Sequence, residues 1–163
     1  MLIAFSGLPG AGKTTIAREL ARAIGGLHLR IDTIEQALRN DGIEVTSQGY
    51  VVAYAVAEDN LRLGRIVVSD CVNPDERTRS AWHSVAARAA VRVLNVEIIC
   101  SDPTEHRRRV ESRRPDISGH RVPTWQETVA RDYEGWKTKL LVIDTARLNV
   151  AQAVSAIVAA KAT

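Results

Sequence analysis

Apolar and polar positions along the chain follow two alternating rhythms. Short unbroken apolar runs are followed repeatedly by stretches in which apolar residues recur three or four positions apart. The first run is Leu2–Ser6; Ile16, Leu20 and Ile24 then mark one face of a helix predicted over Lys13–Ile24 and closed by Gly25-Gly26. Leu27–Ile31 reads as a second strand, ahead of a helix over Thr33–Arg39 with Asp32 at its N-cap position. Tyr50, Tyr54, Ala57 and Leu61 trace one face of a third helix ending near Gly64. Arg65–Ser69, Val93–Cys100 and Leu140–Asp144 supply three more strands, with a helix over Glu76–Ala89 between the first two. Two helical stretches flank the Gly/Pro-broken segment RRPDISGHRVP, and an Ala/Val-rich helix follows the last strand.

Continuous apolar strands alternating with helices imply an α/β domain, a parallel sheet of five strands covered by helices on both faces. Ligands of such sheets sit at the carboxyl ends of the strands. Here those ends carry Ser6-Gly7, Asp32, Asp70, Ser101-Asp102 and Asp144-Thr145. The 163 residues suit a single domain over 1–163.

The end of the first strand carries the clearest chemical signal. Gly7-Leu8-Pro9-Gly10-Ala11-Gly12-Lys13-Thr14 matches the phosphate-cradling pattern G-x-x-x-x-G-K-S/T at every fixed position, between a strand and a helix. Glycines let successive backbone N–H groups turn inward around phosphates, and the helix N-terminus adds partial positive charge. The backbone from Gly7 to Thr15 is expected to hold ATP, with Lys13 on the outer phosphates and the Thr14 hydroxyl on Mg²⁺. No Asn-Lys-x-Asp stretch for guanine is present, and the third strand ends in SDCVNP where a GTPase shows Asp-x-x-Gly.

Composition adds limits. A net charge of +3 fits either nucleic acid or an anionic nucleotide. Cys71 and Cys100 form no disulfide or zinc pattern, which suits a reducing compartment. No apolar run approaches the roughly 18 residues of a membrane span, and the N-terminal run is too short for a signal sequence, so a cytoplasmic protein is expected.

Two carboxylates and a basic cluster complete the candidate site. Asp32, opposite the phosphate loop, suits a general base for a substrate hydroxyl, with a plain N-cap as the alternative. Asp70 ends an apolar strand and suits the Mg²⁺ shell, and the two aspartates could exchange duties. Arg107, Arg108, Arg109, Arg113, Arg114 and Arg121 fall within 15 residues, which reads as a lid over about 107–123. Arg109 and Arg113, four apart, are expected on one helix face toward the transferring phosphate. Trp82, Trp125 and Trp136 read as core or lid anchors, Tyr50 and Tyr54 as buried helix face with the lining of an acceptor pocket as the alternative, and the four histidines have no metal spacing.

Together these residues resemble the small P-loop kinases. RIDTIEQAL is similar to the segment of chloramphenicol phosphotransferase-type enzymes in which the catalytic Asp opens a helix. VVSDCVNPDERTRSAW followed by EHRRRVESRR resembles the kinase domain of phage polynucleotide kinase, and adenylylsulfate and gluconate kinases share the layout. The resemblance implies a three-layer P-loop NTPase fold of the nucleoside monophosphate kinase-like kind with an Arg-rich lid. It also implies that Asp32 is the base, that Arg109 and Arg113 hold nucleotide phosphates, and that adenine lies near Asp144-Thr145-Ala146. Polynucleotide kinases carry an arginine three residues after the catalytic Asp, where this chain has Glu35. An acid there disfavours a polyanionic acceptor. The expectation is therefore an ATP-dependent kinase acting on a hydroxyl of a small molecule such as a nucleoside, a sugar-like metabolite or an antibiotic. The alternatives are a polynucleotide 5′-hydroxyl kinase and a nucleotide-dependent switch with slow hydrolysis.

Overall fold

The computed structural model describes residues 1–162. Five parallel strands, β1 (Leu2–Ser6), β2 (Leu27–Arg30), β3 (Val67–Asp70), β4 (Val93–Ile99) and β5 (Leu141–Asp144), lie in the order β2-β3-β1-β4-β5. Seven helices connect and follow them: α1 (Lys13–Ile24), α2 (Ile31–Asn40), α3 (Gln48–Arg62), α4 (Glu76–Arg88), α5 (Pro103–Ser112), α6 (Trp125–Val129) and α7 (Val150–Lys161).

The central strand β1 is buried on both faces, and its alternate residues feed two separate cores. Ile3 and Phe5 join Ile16, Ala17 and Leu20 of α1 with Ala153 and Ile157 of α7. Leu2 and Ala4 join Ala53, Ala57 and Leu61 of α3 with Trp82, Val85 and Ala86 of α4. This is why the strands read as continuous apolar runs instead of alternating ones. Placing β1 between β3 and β4 sets the crossover point of the sheet at its carboxyl end, where the chain leaves for the glycine-rich loop.

Two local expectations are corrected. Asp32 is not a helix cap: β2 stops at Arg30 and α2 starts at Ile31, so Arg30 is the N-cap and Asp32 lies in the first helical turn. The strand passes into the helix with no intervening loop. Arg113 does not share a helix face with Arg109, because α5 ends at Ser112 and Arg113 is its extended C-cap. Among the described residues no helix is long and apolar enough to cross a membrane, and Cys71 and Cys100 are both free.

Candidate active site

The glycine-rich loop fits its surroundings only because its glycines lack side chains. Gly7 has φ +130°, and a Cβ there would overlap the Ile98 carbonyl of β4. Gly10 has φ +79°, and a Cβ would overlap the Val110 side chain of α5. Gly12 is the N-cap of α1, so the helix axis points its amino end at the loop interior. Neighbouring elements hold the loop's carbonyls. The His106 ring of α5 bonds through Nε2 to the Pro9 carbonyl at 2.7 Å, and the Thr145 hydroxyl donates to the Ala11 carbonyl at 2.9 Å.

Lys13 is 8% exposed, and its Nζ donates to the Leu8 carbonyl at 2.9 Å. Burial pulls its pKa down to about 8, against the opposing charges of Asp70 and Asp32. Asp70 is 3% exposed and accepts from His28 Nε2 at 3.1 Å. Burial works to raise its pKa, but the His28 hydrogen bond, the Lys13 charge and the Thr14 hydroxyl hold the carboxyl below its ordinary range. A carboxylate favoured in its ionised form beside a threonine hydroxyl is a donor set of hard oxygens, which suits Mg²⁺. Among the described residues no cluster of three His, Cys, Asp or Glu could hold a metal unaided. An ion here would take its remaining ligands from phosphate and water.

Two cavities open from this loop and meet at it. One, of about 770 Å³, is lined by Asp32, Glu35, Tyr50, Tyr54, Asp70 and His120 among others. The other, of about 720 Å³, is lined by Gly10, Gly12, Thr15, Arg18, Arg109, Asp116 and Thr145 among others. Lys13, Thr14 and Arg113 line both. Pro9 faces only the first, and Asp32 and Asp70 are absent from the second.

Asp32 is 39% exposed in the first cavity, with Arg30 Nη2 at 3.4 Å and His120 Nε2 at 3.9 Å from its Oδ2. Glu35 lies one turn along α2 in the same cavity and pairs with Arg39 at 2.9 Å. Arg109 belongs to the second cavity alone. Its Nε donates to Glu105 at 2.7 Å, and its Nη1 and Nη2 donate to the hydroxyl and carbonyl of Thr145 at 2.8 and 3.1 Å. The basic cluster is largely answered by nearby acids: Arg107 pairs with Glu111, Arg108 and Arg109 with Glu105, and Arg121 with Glu127. Arg113 has no ion-pair partner among the described residues and sits near enough to Lys13 to oppose its charge.

The partners of Asp70 carry no sequence signal. His28 and Arg30 converge on Asp70 from the neighbouring strand, where Arg30 and Asp70 are in register. Tyr50 and Tyr54 follow the alternative reading: they are half-buried and line the first cavity. Trp82 is core, Trp125 packs edge-on against His106, and Trp136 stacks 4.3 Å from the Arg79 guanidinium.

The AAA_33 family model, for an AAA domain, matches residues 2–132. Solved structures superpose along nearly the whole chain. The Mycobacterium tuberculosis APS kinase in complex with AMPPNP and APS has a TM-score of 0.75 at 16% identity, covering 99% of this chain and 97% of that one. A gluconokinase from Sinorhizobium meliloti 1021 gives 0.65 at 19% identity, covering 98% and 90%. Chaetomium thermophilum Kti12 in complex with ADP-AlF3 gives 0.66 at 20% identity, covering 98% of both chains. At such identities the likeness shows the shared fold: a P-loop nucleotide-binding fold that small-molecule kinases use. No curated protein matches the sequence.

Proposed function

We propose, from the premise that the chain belongs to the AAA_33 family of AAA domains, that it is an ATP-dependent kinase transferring the γ-phosphoryl group to a hydroxyl of a small molecule. One observation carries the reading: two separate cavities share Lys13, Thr14 and Arg113, and Asp32 stands in only one of them. A hydrolytic switch needs a single nucleotide pocket. A kinase needs a donor cleft and an acceptor cleft that meet where the phosphoryl group crosses.

In this reading the nucleotide lies in the cavity beside α5 and Thr145, with its phosphates in the loop from Gly7 to Thr15. The acceptor lies against Tyr50 and Tyr54 with its hydroxyl toward Asp32. Asp32 takes the hydroxyl proton as the oxygen bonds to the γ-phosphorus and the bond to the bridging oxygen breaks, releasing ADP. Lys13 and Arg113 face the charge that spreads over the transferring oxygens. Thr14 and Asp70 would hold Mg²⁺, which would supply neutralisation of phosphate charge. Arg109, bound to Thr145, serves the base side of the nucleotide, not the transferring group.

Glu35 is paired with Arg39 in the acceptor cavity, which Arg77, Arg121 and Arg131 also line, so its charge is answered there and the choice between a small acceptor and a polynucleotide falls to experiment. The proposed setting is the cytoplasm, a reducing compartment that fits the free thiols of Cys71 and Cys100. The test is ADP release with MgATP over a panel of metabolites, nucleosides, antibiotics and oligonucleotides. At least one hydroxyl compound should stimulate release, and Asp32→Asn should abolish the stimulation with nucleotide affinity retained. Equal basal release with every compound would mean a switch, and stimulation by oligonucleotides alone would mean a polynucleotide kinase.

A further inference from the structure

Asp32 does not face its cavity alone. Arg30, the last residue of β2, is 5% exposed, and three carboxylates converge on its guanidinium. The fork is committed to Asp116: Nη1 donates to Oδ2 at 2.8 Å and Nη2 to Oδ1 at 3.1 Å. Nη2 reaches Asp32 only at 3.4 Å, while Nε has no hydrogen-bond partner and lies 3.9 Å from Asp70.

Asp116 comes from the coil between α5 and α6, and Arg18 of α1 donates to it as well, at 3.0 Å. The same coil rests on α2. A Cβ at Gly119 would stand 3.1 Å from Gln36 Nε2, and the His120 ring is the neighbour of Asp32 noted above. The coil is therefore down across the boundary between the cavities, with Asp116 tying it to the floor.

A guanidinium this buried must keep a partner. Without Asp116, the carboxylates still within 4 Å are Asp32 and Asp70. A two-point pair with Arg30 would stabilise Asp32 in its ionised form and occupy the lone pairs that a base must offer. We propose that Asp116 is a positioning residue: by occupying the Arg30 fork while the coil is down, it leaves Asp32 free to take the acceptor's proton. When the coil lifts, the fork turns onto Asp32 and the base is damped. Base competence is thus coupled to closure, which keeps transfer from proceeding in an open, wet cleft. The catalytic half of this inference rests on the kinase reading; the exchange of partners by Arg30 does not.

Asp116→Ala removes the partner from an exposed coil, and Asp116→Glu restores a carboxylate. In a crystal structure of the Ala variant, both Nη atoms of Arg30 should lie within about 3 Å of the Asp32 carboxylate. Arg30 left in its present orientation, with Asp32 still at the longer distance, overturns the proposal. With any acceptor that the wild type phosphorylates, Asp116→Ala should lower kcat at least about tenfold and change acceptor KM less than about twofold, with Asp116→Glu recovering most of the rate. An unchanged kcat, or a loss confined to KM, overturns it too. If the wild type accepts no compound, the kinase reading fails on its own, and the crystal structure still decides whether Arg30 changes partner.

Discussion

Lys13→Met should make the nucleotide-free protein more stable while disabling it. The side chain is buried, and its pKa falls from 10.5 to about 8 because burial penalises the ammonium more than Asp70 and Asp32 favour it. At about 1.4 kcal/mol per pKa unit, carrying the charged lysine at pH 7 costs the fold about 3 kcal/mol. Losing the Lys13–Leu8 hydrogen bond takes back about 1 kcal/mol, so the variant should gain about 2 kcal/mol. The sign follows from proton binding. Between pH 8 and 10.5 the unfolded chain binds more protons at Lys13 than the folded one, so wild-type stability rises with pH across that window, and the cost is fully present below it. Lys13→Met should lack this rise. Urea unfolding at pH 7 should show a midpoint higher by about 1 M, and nucleotide affinity should fall at least about tenfold as a charge-assisted phosphate contact is lost. A variant less stable than wild type at pH 7, with the same rise above pH 8, would refute the reasoning.

Other substitutions separate the parts of the site. Gly10→Ala puts a methyl group into the Val110 side chain at φ +79°, and should weaken nucleotide binding at least about tenfold by prising α5 off the loop; unchanged affinity would contradict that packing. Arg79 is 2% exposed and donates to the carbonyls of Asn73, Pro74, Glu134 and Gly135; the Pro74 carbonyl also accepts from the Glu134 N–H, so Arg79→Met orphans the other three acceptors. It should cost about 3 kcal/mol or more in urea unfolding, and a loss under about 1 kcal/mol would remove Arg79 as the tie between the Pro74 loop and residues 134–135. Thr145→Val keeps the shape and the backbone bond to Arg109 Nη2 but loses the hydroxyl bonds to Ala11 and Arg109 Nη1; it should raise nucleotide KM about three- to tenfold and leave acceptor KM alone, whereas an equal rise in both would mean the cavities are not separate.

What the sequence disclosed divides along lines of chain distance. The helix Lys13–Ile24 is found with its predicted bounds, because a glycine-rich turn opens it and Gly25 in the left-handed region closes it. The strands are legible because burial on both faces makes them continuous apolar runs. Asp70, the last residue of β3, and Asp32, two residues beyond β2, lie at the carboxyl edge where the general architecture of parallel sheets puts ligands. The direct passage from β2 into α2 was hidden, since Asp after an apolar run carries a cap signal whether or not it caps. The pairing of the arginines with Glu105, Glu111 and Glu127 lies at local spacings and was there to be read; it halves the apparent need of the cluster for an external anion. His28 meeting Asp70 and Arg30 meeting Asp116 span 42 and 86 positions, and no periodicity or motif announces them.

In the kinase reading, phosphate leaves the loop for a hydroxyl held near Asp32. The label of γ-labelled ATP, followed with wild type and Asp32→Asn at saturating nucleotide, decides whether it does. Label should become covalently attached to an acceptor hydroxyl with wild type, and the rate should be lower by about 10²-fold or more with Asp32→Asn at similar nucleotide affinity. Label recovered only as inorganic phosphate with every compound, or transferred equally well by Asp32→Asn, would contradict that reading.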